Sequence, residues 1–249
     1  MRGKGVNLIA GSLVFSLILV NFIPVLTFNA HYSNSIIFLS KPESPRLLHA
    51  YTPHDPITID GDSNFSDTAL AEGWAGNGSA ESPYVIDGLE IDRNGGAGHG
   101  INITNTRVHF IISHSNFTGA TVNPGSGIYL NNVSYGVLLN NTCTSNRNGI
   151  YLIDSNFNTL ANNTCTGNVI GIYMYDSDFN TVSDNDCSGN SNYGMLQYYC
   201  DSNVFRRNIC SNNGIDGIHA QYAVSNIFNN NTCNGNGRDG IRVWYYPRG

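Results

Sequence analysis

The chain has 249 residues, a formal net charge of −6 and only 12% charged residues, whereas 41% are hydrophobic and 11% aromatic. The hydrophobic content excludes a disordered chain, and the few Lys and Arg argue against a nucleic-acid partner because phosphate binding needs a basic patch. Asparagine (36 residues) and glycine (27 residues) replace the charged residues, so we expect many tight turns around a hydrophobic core.

The first 30 residues differ from the rest of the chain. Arg2 and Lys4 precede an almost uncharged run, residues 6–28, which we expect to form a hydrophobic helix. The pattern indicates a signal peptide or a signal anchor. Pro24 and Ala30 favour cleavage nearby, whereas the length of the run suits an anchor. Either alternative makes the protein extracellular or cell-surface, with no membrane contact beyond this segment.

Residues 31–56 contain four prolines and indicate a linker and an N-terminal cap ahead of a domain over residues 57–249. Inside that domain, residues 60–64 (DGDSN) begin like a calcium-binding loop, but Phe65 stands where such a loop needs glycine. The histidines and cysteines show no metal-ligand spacing. We therefore expect no cofactor and no metal, with calcium at residues 60–64 as the alternative.

From Gly127 onward the chain repeats with a period of 22 or 23 residues. The marker glycines are Gly127, Gly149, Gly171, Gly194, Gly217 and Gly240. A fixed period of this size is typical of a solenoid. Residues one, three and eleven positions after the glycines are apolar except for Gln197, which indicates strands with one buried face. Three short strands in each coil leave no room for a helix.

Asparagine recurs at the corners of the repeat. Equivalent residues of parallel coils stack about 4.8 Å apart, so we expect the side-chain amides to hydrogen-bond from coil to coil. The column fourteen residues after each glycine consists of Asn141, Asn163, Asn185, Asn208 and Asn231. Two similar asparagine columns lie nine and nineteen residues after the glycines.

Cysteine forms a further column, sixteen residues after each glycine. Its members are Cys143, Cys165, Cys187, Cys210 and Cys233, and Phe117 takes this position in an earlier coil that begins at Gly100. We expect inward, reduced thiols, because free cysteine behaves as a small hydrophobe and stacked Cβ atoms about 4.8 Å apart exceed disulfide reach. Cys200 lies outside this column, and we expect it nearer the surface and more reactive.

The repeat GIYL…NTL..NTC…N resembles that of the right-handed parallel β-helix proteins, the pectate-lyase-like superfamily. Within it the chain is most similar to the NosD-like, carbohydrate-binding-and-hydrolase-type repeat proteins of archaeal surfaces. Residues 74–91, with a turn at Asn77-Gly78, resemble the first coil of such proteins. The resemblance implies an all-β, single-stranded right-handed parallel β-helix of about seven to eight coils over residues 57–249.

Outward positions carry a candidate ligand-binding row. Tyr129, Tyr151 and Tyr173 stand two residues after consecutive glycines, so they should stack on the outer face of one sheet. Sugar rings pack on aromatic side chains, which favours binding of polysaccharide or another surface partner without catalysis. The alternative is that these tyrosines only stabilise the sheet.

Two carboxylates favour an enzyme as the alternative, either a polysaccharide lyase or a glycoside hydrolase. Asp216 and Asp239 precede consecutive glycines and should lie about 5 Å apart, near the separation in retaining glycosidases. Their repulsion should raise one pKa, as general acid catalysis requires. His219, Arg238 and Arg242 lie near them in the repeat. Aspartate is also a common turn residue, and the calcium-binding aspartates of the family's lyases have no one-to-one match here.

Two further features concern the surface and the end of the solenoid. The chain stops at WYYPRG, one strand into a new coil, and an open sheet edge there would suit an end-to-end partner in a structural or assembly protein. Eight sequons are candidate glycosylation sites of an exported chain, namely Asn64, Asn77, Asn102, Asn116, Asn132, Asn140, Asn162 and Asn230.

Overall fold

The computed structural model describes residues 51–245. The signal peptide or anchor predicted for residues 1–30, its hydrophobic helix and most of the predicted linker lie outside the described residues. Within residues 51–245, nineteen strands and one helix form a parallel β-helix of about seven turns, whose strands lie in three sheets.

Sheet 1 contains eight strands among the described residues. They are β2 (Ile57–Asp60), β5 (Ala97–Thr106), β8 (Val122–Val133), β11 (Asn148–Ile153), β13 (Ile170–Tyr175), β15 (Tyr193–Tyr198), β17 (Ile218–Gln221) and β19 (Ile241–Trp244). Within this part of the chain β19 is an edge strand, and Ile241 and Val243 on it are exposed. The end-to-end partner at this edge stays a prediction.

Sheets 2 and 3 complete the coils. The seven strands of sheet 2 in the described part of the chain are β3 (Tyr84–Asp87), β6 (Phe110–Ser113), β9 (Gly136–Leu139), β12 (Thr159–Ala161), β14 (Thr181–Ser183), β16 (Val204–Arg206) and β18 (Ile227–Asn229). The four of sheet 3 are β1 (Thr52–Pro53), β4 (Leu89–Asp92), β7 (Asn116–Thr118) and β10 (Thr142–Thr144). Single parallel bridges continue sheet 3 as far as Thr232.

The register follows the sequence repeat. Ile150 pairs with Ile128 on one side and Ile172 on the other, so residues one period apart lie directly over one another. Phe117 pairs with Cys143, as the sequence predicts. Parallel pairing in this register turns each repeat column into a stripe along the solenoid, which confirms the predicted parallel coil.

The asparagine columns are hydrogen-bonded ladders inside the corners. Asn141, Asn163 and Asn185 are buried, and each donates its backbone N–H to the side-chain oxygen of the next member, at 2.9–3.0 Å. The side-chain amide of each also donates to the next oxygen, at 3.0–3.1 Å. The ladder therefore satisfies backbone groups at bends where sheet pairing is interrupted.

The cysteine column points into the core. Cys143, Cys165, Cys187 and Cys210 are fully buried free thiols, and Cys233 in the last coil is partly exposed. Burial raises the pKa of the Cys143 and Cys187 thiols well above the usual value.

The expectation that Cys200 lies near the surface is wrong. Cys200 is fully buried, and burial raises its pKa to about 12. Its Sγ donates to the carbonyl of Tyr198 at 3.1 Å. The hydroxyls of Ser155 and Ser177, two coils and one coil earlier, make the equivalent bond two residues back, at 2.7 and 2.8 Å. Cys200 therefore occupies a second inward column, six residues after the glycine, in which it replaces serine.

The sequence did not predict the helix α1 (Gly61–Glu72). Phe65 and Ala69 form its buried stripe, and the Phe65 ring packs 5.2 Å from the rings of both Tyr84 and Phe110. The side-chain oxygen of Asn64 accepts the backbone N–H of Asp60 at 2.9 Å, which anchors the first turn. Residues 60–64, which resembled a calcium loop, are thus the start of a helix. Within residues 51–245 no helix has both the length and the apolar character that a membrane span requires.

Extra residues are absorbed at the corner that leads from sheet 3 back to sheet 1. Asn190 lies 22 residues after its ladder partner Asn168, whereas Tyr193 lies 23 residues after Ile170, its partner in sheet 1. The single extra residue that converts a 22-residue coil into a 23-residue coil therefore falls between Asn190 and Tyr193. An irregularity in the pairing of β5 with β8, next to Ala97, lies at the same corner.

Candidate functional site on the outer face of sheet 1

The outer face of sheet 1 carries the predicted tyrosine row. Tyr129, Tyr151 and Tyr173 pair in register on β8, β11 and β13, and each is half-buried. The column continues through Leu196 and His219 to Arg242. One outward stripe therefore joins the predicted binding row to two of the predicted catalytic candidates.

The tyrosine rings pack against one another. Tyr151 and Tyr173 stack with centroids 4.5 Å apart and an interplanar angle of 8°, whereas Tyr129 meets Tyr151 edge-on at 5.4 Å. Burial is the main cause that raises the pKa of all three phenols, so they stay protonated near neutral pH. Stacking covers the faces that Tyr151 and Tyr173 turn toward each other, and the row offers hydroxyls and ring edges to a ligand.

At the N-terminal end of the row, three buried polar atoms lack hydrogen-bond partners among the described residues. They are Nδ1 of His99, Oδ1 of Asn102 and Nε of Arg93. The His99 ring stacks on Tyr129 with centroids 4.2 Å apart. Burial, aided by the charge of Arg93, lowers the pKa of His99 to about 4, so this imidazole is neutral near pH 7.

At the C-terminal end, Asp216 anchors a polar cluster. Its Oδ2 lies 2.7 Å from Nδ1 of His219, and the Arg238 guanidinium binds both carboxylate oxygens, at 2.8 and 2.5 Å. The backbone N–H of Asp239 donates to Asp216 Oδ1 at 3.1 Å. The Asp239 carboxylate accepts Nη1 of Arg242 at 2.5 Å. The structure thus brings all four predicted catalytic candidates together with Arg238, which the repeat also places near them.

The predicted rise in pKa does not occur at Asp216. Burial of this carboxyl opposes ionisation, but the hydrogen bonds from Arg238, His219 and Asp239 together outweigh burial and lower its pKa. Asp216 is fully buried. Because the adjacent guanidinium compensates its charge, Asp216 does not serve as a protonated general acid beside Asp239.

His219 is held in an aromatic enclosure. Its side chain is only 6% exposed, and its ring lies 5.4 Å from Tyr193 and 6.3 Å from Trp244. Nδ1 faces Asp216, and Nε2 has no partner among the described residues. The carboxylate orients the imidazole as the orienting group does in a catalytic pair, whereas the other imidazole nitrogen is buried and not open to solvent.

The other candidate sites are dispersed over the surface. No three His, Cys, Asp or Glu side chains within residues 51–245 converge in a way that could hold a metal ion. The Asp60 carboxylate accepts hydrogen bonds from Thr104 and Asn105, both at 2.7 Å. Four sequon asparagines are exposed with left-handed backbone, namely Asn132, Asn140, Asn162 and Asn230. Their glycosylation stays a prediction.

A second aromatic row, not predicted from the sequence, lies at the corner between sheets 1 and 2. We call Tyr135, Phe157 and Phe179 the corner row. Phe157 and Phe179 stack 5.1 Å apart at 5°, and Tyr135 lies 6.1 Å from Phe157. The signal for this row was present, because its members stand eight residues after Gly127, Gly149 and Gly171.

Comparison with known proteins agrees with the architecture. A family model described as a right-handed β-helix region matches residues 99–248. The solved structure of the periplasmic alginate epimerase AlgG is 18% identical, with a TM-score of 0.54 over 65% of this chain and 45% of that chain. The A-module of the Azotobacter vinelandii mannuronan C-5 epimerase AlgE6 is 17% identical, with a TM-score of 0.57 over 61% of this chain and 42% of that module.

These structural likenesses show the fold alone. The aligned region spans less than half of either solved structure. No curated protein sequence matches this chain.

Proposed function

The chain belongs to the right-handed β-helix family, and from this premise we propose that it binds polysaccharide along the outer face of sheet 1. The observation that carries the proposal is the continuous stripe formed by the tyrosine row with a polar cluster at each end. The similar fold of two solved structures named as alginate or mannuronan epimerases supports a polysaccharide as the ligand class.

The dimensions and chemistry of the stripe suit an extended chain of sugars. His99 and His219 lie five coils apart, or about 24 Å at the spacing of parallel strands. Neutral tyrosine hydroxyls along this length can donate to and accept from sugar hydroxyls. Each buried polar atom without a partner costs about 1–3 kcal/mol, and a ligand that supplies the partner recovers that cost.

The test is affinity electrophoresis of the full chain in gels that contain alginate or a neutral polysaccharide. We expect Tyr151→Ala combined with Tyr173→Ala to weaken binding at least tenfold, and Tyr151→Phe to weaken it less because only a hydroxyl is lost. The matched control is Thr159→Ala combined with Thr181→Ala, in the same two coils but on sheet 2. Unchanged binding by the double tyrosine variant would show that the tyrosine row does not bind the polysaccharide.

We also propose that the protein acts outside the cell. The charge and hydropathy of residues 1–30 support export, either secreted or anchored at the surface. Digestion of intact cells with an external protease, followed by immunoblotting, tests this part. A protein that stays protected in intact cells and is digested only after lysis would contradict it.

Catalysis on a bound polysaccharide is the second candidate function. It is favoured by the Asp216–His219 contact, which leaves the buried Nε2 of His219 available as a proton acceptor. The test is incubation of the protein with alginate and with neutral polysaccharides, followed by NMR detection of unsaturated ends, new reducing ends and altered C5 configuration. We expect His219→Gln to abolish any product, and affinity electrophoresis of the same variant separates a loss of catalysis from a loss of binding. If the unmodified protein forms no product, the catalytic proposal is wrong and only the binding proposal remains.

A further inference from the structure

We propose that the exposed ring of Phe179, at the end of the corner row, is a stacking platform for a neutral sugar ring. This site lies beside the tyrosine row, on the turn between sheets 1 and 2, and is separate from it. The proposed ligand is a neutral polysaccharide segment, in contrast to an anionic polymer such as alginate.

The geometry leaves one face of Phe179 without an aromatic neighbour. Its side toward the preceding coil is covered by Phe157, at 5.1 Å. On the other side the same column continues with Ser202 and Ser225, so no ring among the described residues stacks there. Phe179 is 54% exposed, more than Phe157 at 51% or Tyr135 at 41%. Apolar C–H faces of sugar rings pack against an uncovered aromatic face of this kind.

The fold alone does not account for a phenylalanine at this corner. Phe157 and Phe179 have φ of 59° and 55°, a left-handed backbone that is unfavourable for a residue other than glycine. Ser202 and Ser225 take the same conformation one and two coils later, with φ of 57° and 58°. Because serine and phenylalanine take the same conformation here, the backbone does not require a ring at this position. The corner therefore forms without a ring and exposes one nonetheless.

The charge around Phe179 selects against an anionic ligand. The turn residues 176–180 and 199–203 contain Asp176, Asp178 and Asp201 and no Lys or Arg. The Phe179 backbone N–H donates to the Asp201 carbonyl at 3.2 Å, which places Asp201 beside Phe179 in the next coil. The Asp201 carboxylate accepts the Val224 N–H at 2.8 Å, and a carboxylate has about four acceptor sites in total. Sugar hydroxyls can donate to the remaining sites, whereas a uronate would be repelled.

The experiment is isothermal titration calorimetry of the full chain with maltohexaose, cellohexaose and mannohexaose. Oligoalginate and a chitosan hexamer serve as anionic and cationic comparisons. We expect at least one neutral hexasaccharide to bind, and Phe179→Ser to weaken that binding at least tenfold. Serine is the natural residue at this position in the next two coils, so the variant keeps the fold, which circular dichroism verifies. Phe179→Tyr should retain binding, and Ser225→Ala is the matched control in the same column.

The outcomes separate this site from the one on sheet 1. If Tyr151→Ala combined with Tyr173→Ala weakens binding of the neutral hexasaccharide and Phe179→Ser does not, the proposal of a platform at Phe179 is wrong. The binding site on sheet 1 is then supported. If only Phe179→Ser weakens binding of the neutral hexasaccharide, the platform is supported and the tyrosine row does not bind this ligand. Binding of the chitosan hexamer alone, or of no neutral hexasaccharide, overturns the platform. A lower melting temperature of Phe179→Ser with unchanged affinity would assign the corner row to stability alone and overturn it too.

Discussion

Asn163 donates two hydrogen bonds to the single side-chain oxygen of Asn185, from its backbone N–H at 2.9 Å and from Nδ2 at 3.0 Å. Its own side-chain oxygen accepts the same pair of bonds from Asn141. Replacement of Asn163 by alanine leaves buried donors of Asn141 and the Leu138 carbonyl without partners. We expect Asn163→Ala to lower the free energy of unfolding by about 2–4 kcal/mol, measured by urea denaturation.

The neighbouring Asn162 provides the control for this prediction. It is exposed and has a φ of 55°, which glycine adopts readily. We expect Asn162→Gly to change stability by no more than about 0.5 kcal/mol. Equal effects of the two substitutions would contradict a stabilising role of the ladder.

Gln197 is a polar residue in an inward column of the core. It is 1% exposed, it lies between Met174 and Ala220, and neither of its side-chain polar atoms has a partner among the described residues. We expect Gln197→Met to raise the free energy of unfolding by about 1–3 kcal/mol, because methionine removes two unpaired polar groups at similar volume. The outward Gln221→Met is the control, and a stability gain there of equal size would contradict the explanation.

The salt bridge between Asp216 and Arg238 should make stability depend on pH. The folded protein lowers the pKa of Asp216, so the stabilisation is fully present above the unfolded value of about 4 and is lost as pH falls through the folded value. We expect Asp216→Asn to cost on the order of 2 kcal/mol at pH 7, and this difference from the unmodified protein should shrink below about pH 4.

A matched ion pair on the surface tests the role of burial in that result. Arg207 contacts both carboxylate oxygens of Asp184 at 2.6 and 2.7 Å, but both side chains are solvent-accessible. We expect Asp184→Asn to cost less than about 1 kcal/mol because solvent screens the pair. If urea denaturation at pH 7 gives equal costs for the two substitutions, the contribution that we assign to the Asp216 cluster is wrong.

The six thiols should react slowly in the folded protein. Cys200 is fully buried with a pKa of about 12, and partial exposure distinguishes Cys233 from the other five. With an aromatic disulfide reagent at pH 8 we expect Cys233 to react first, and all six to react at once in urea. Peptide mass spectrometry identifies the modified residue. Early modification of Cys200 would contradict its burial.

The fixed period explains why the core could be predicted from the sequence. Residues 22 or 23 apart pair in register, so the partners of Ile150 and the replacement of Cys143 by Phe117 follow from counting. Helix α1 could not be predicted in this way, because it lies outside the repeat and only Phe65 and Ala69 in it are buried. A helix with only two apolar residues on its buried face does not show the apolar periodicity from which a helix is predicted.

For the candidate site, the sequence predicts which residues share a column along the solenoid but not which side chains contact one another. The sequence placed Arg238 near Asp216, His219 and Asp239. It did not predict that Arg238 reaches back one coil to bind Asp216, because that contact depends on rotamer and burial. This contact helps to lower the pKa of Asp216, so the rise expected for one member of the Asp216/Asp239 pair does not occur there. The burial of Cys200 and the existence of the corner row were not predicted for another reason. Their columns, six and eight residues after the glycines, are present in the repeat, but the prediction did not use them.

The corner between sheets 3 and 1 offers a practical use of this architecture. Between Asn190 and Tyr193 the chain accommodates one more residue than the preceding coil without disturbing either ladder. An epitope or affinity peptide grafted there would project from the solenoid at a chosen coil, at a corner that carries neither aromatic row. Grafts placed in different coils would therefore be separated along the solenoid axis by multiples of about 4.8 Å.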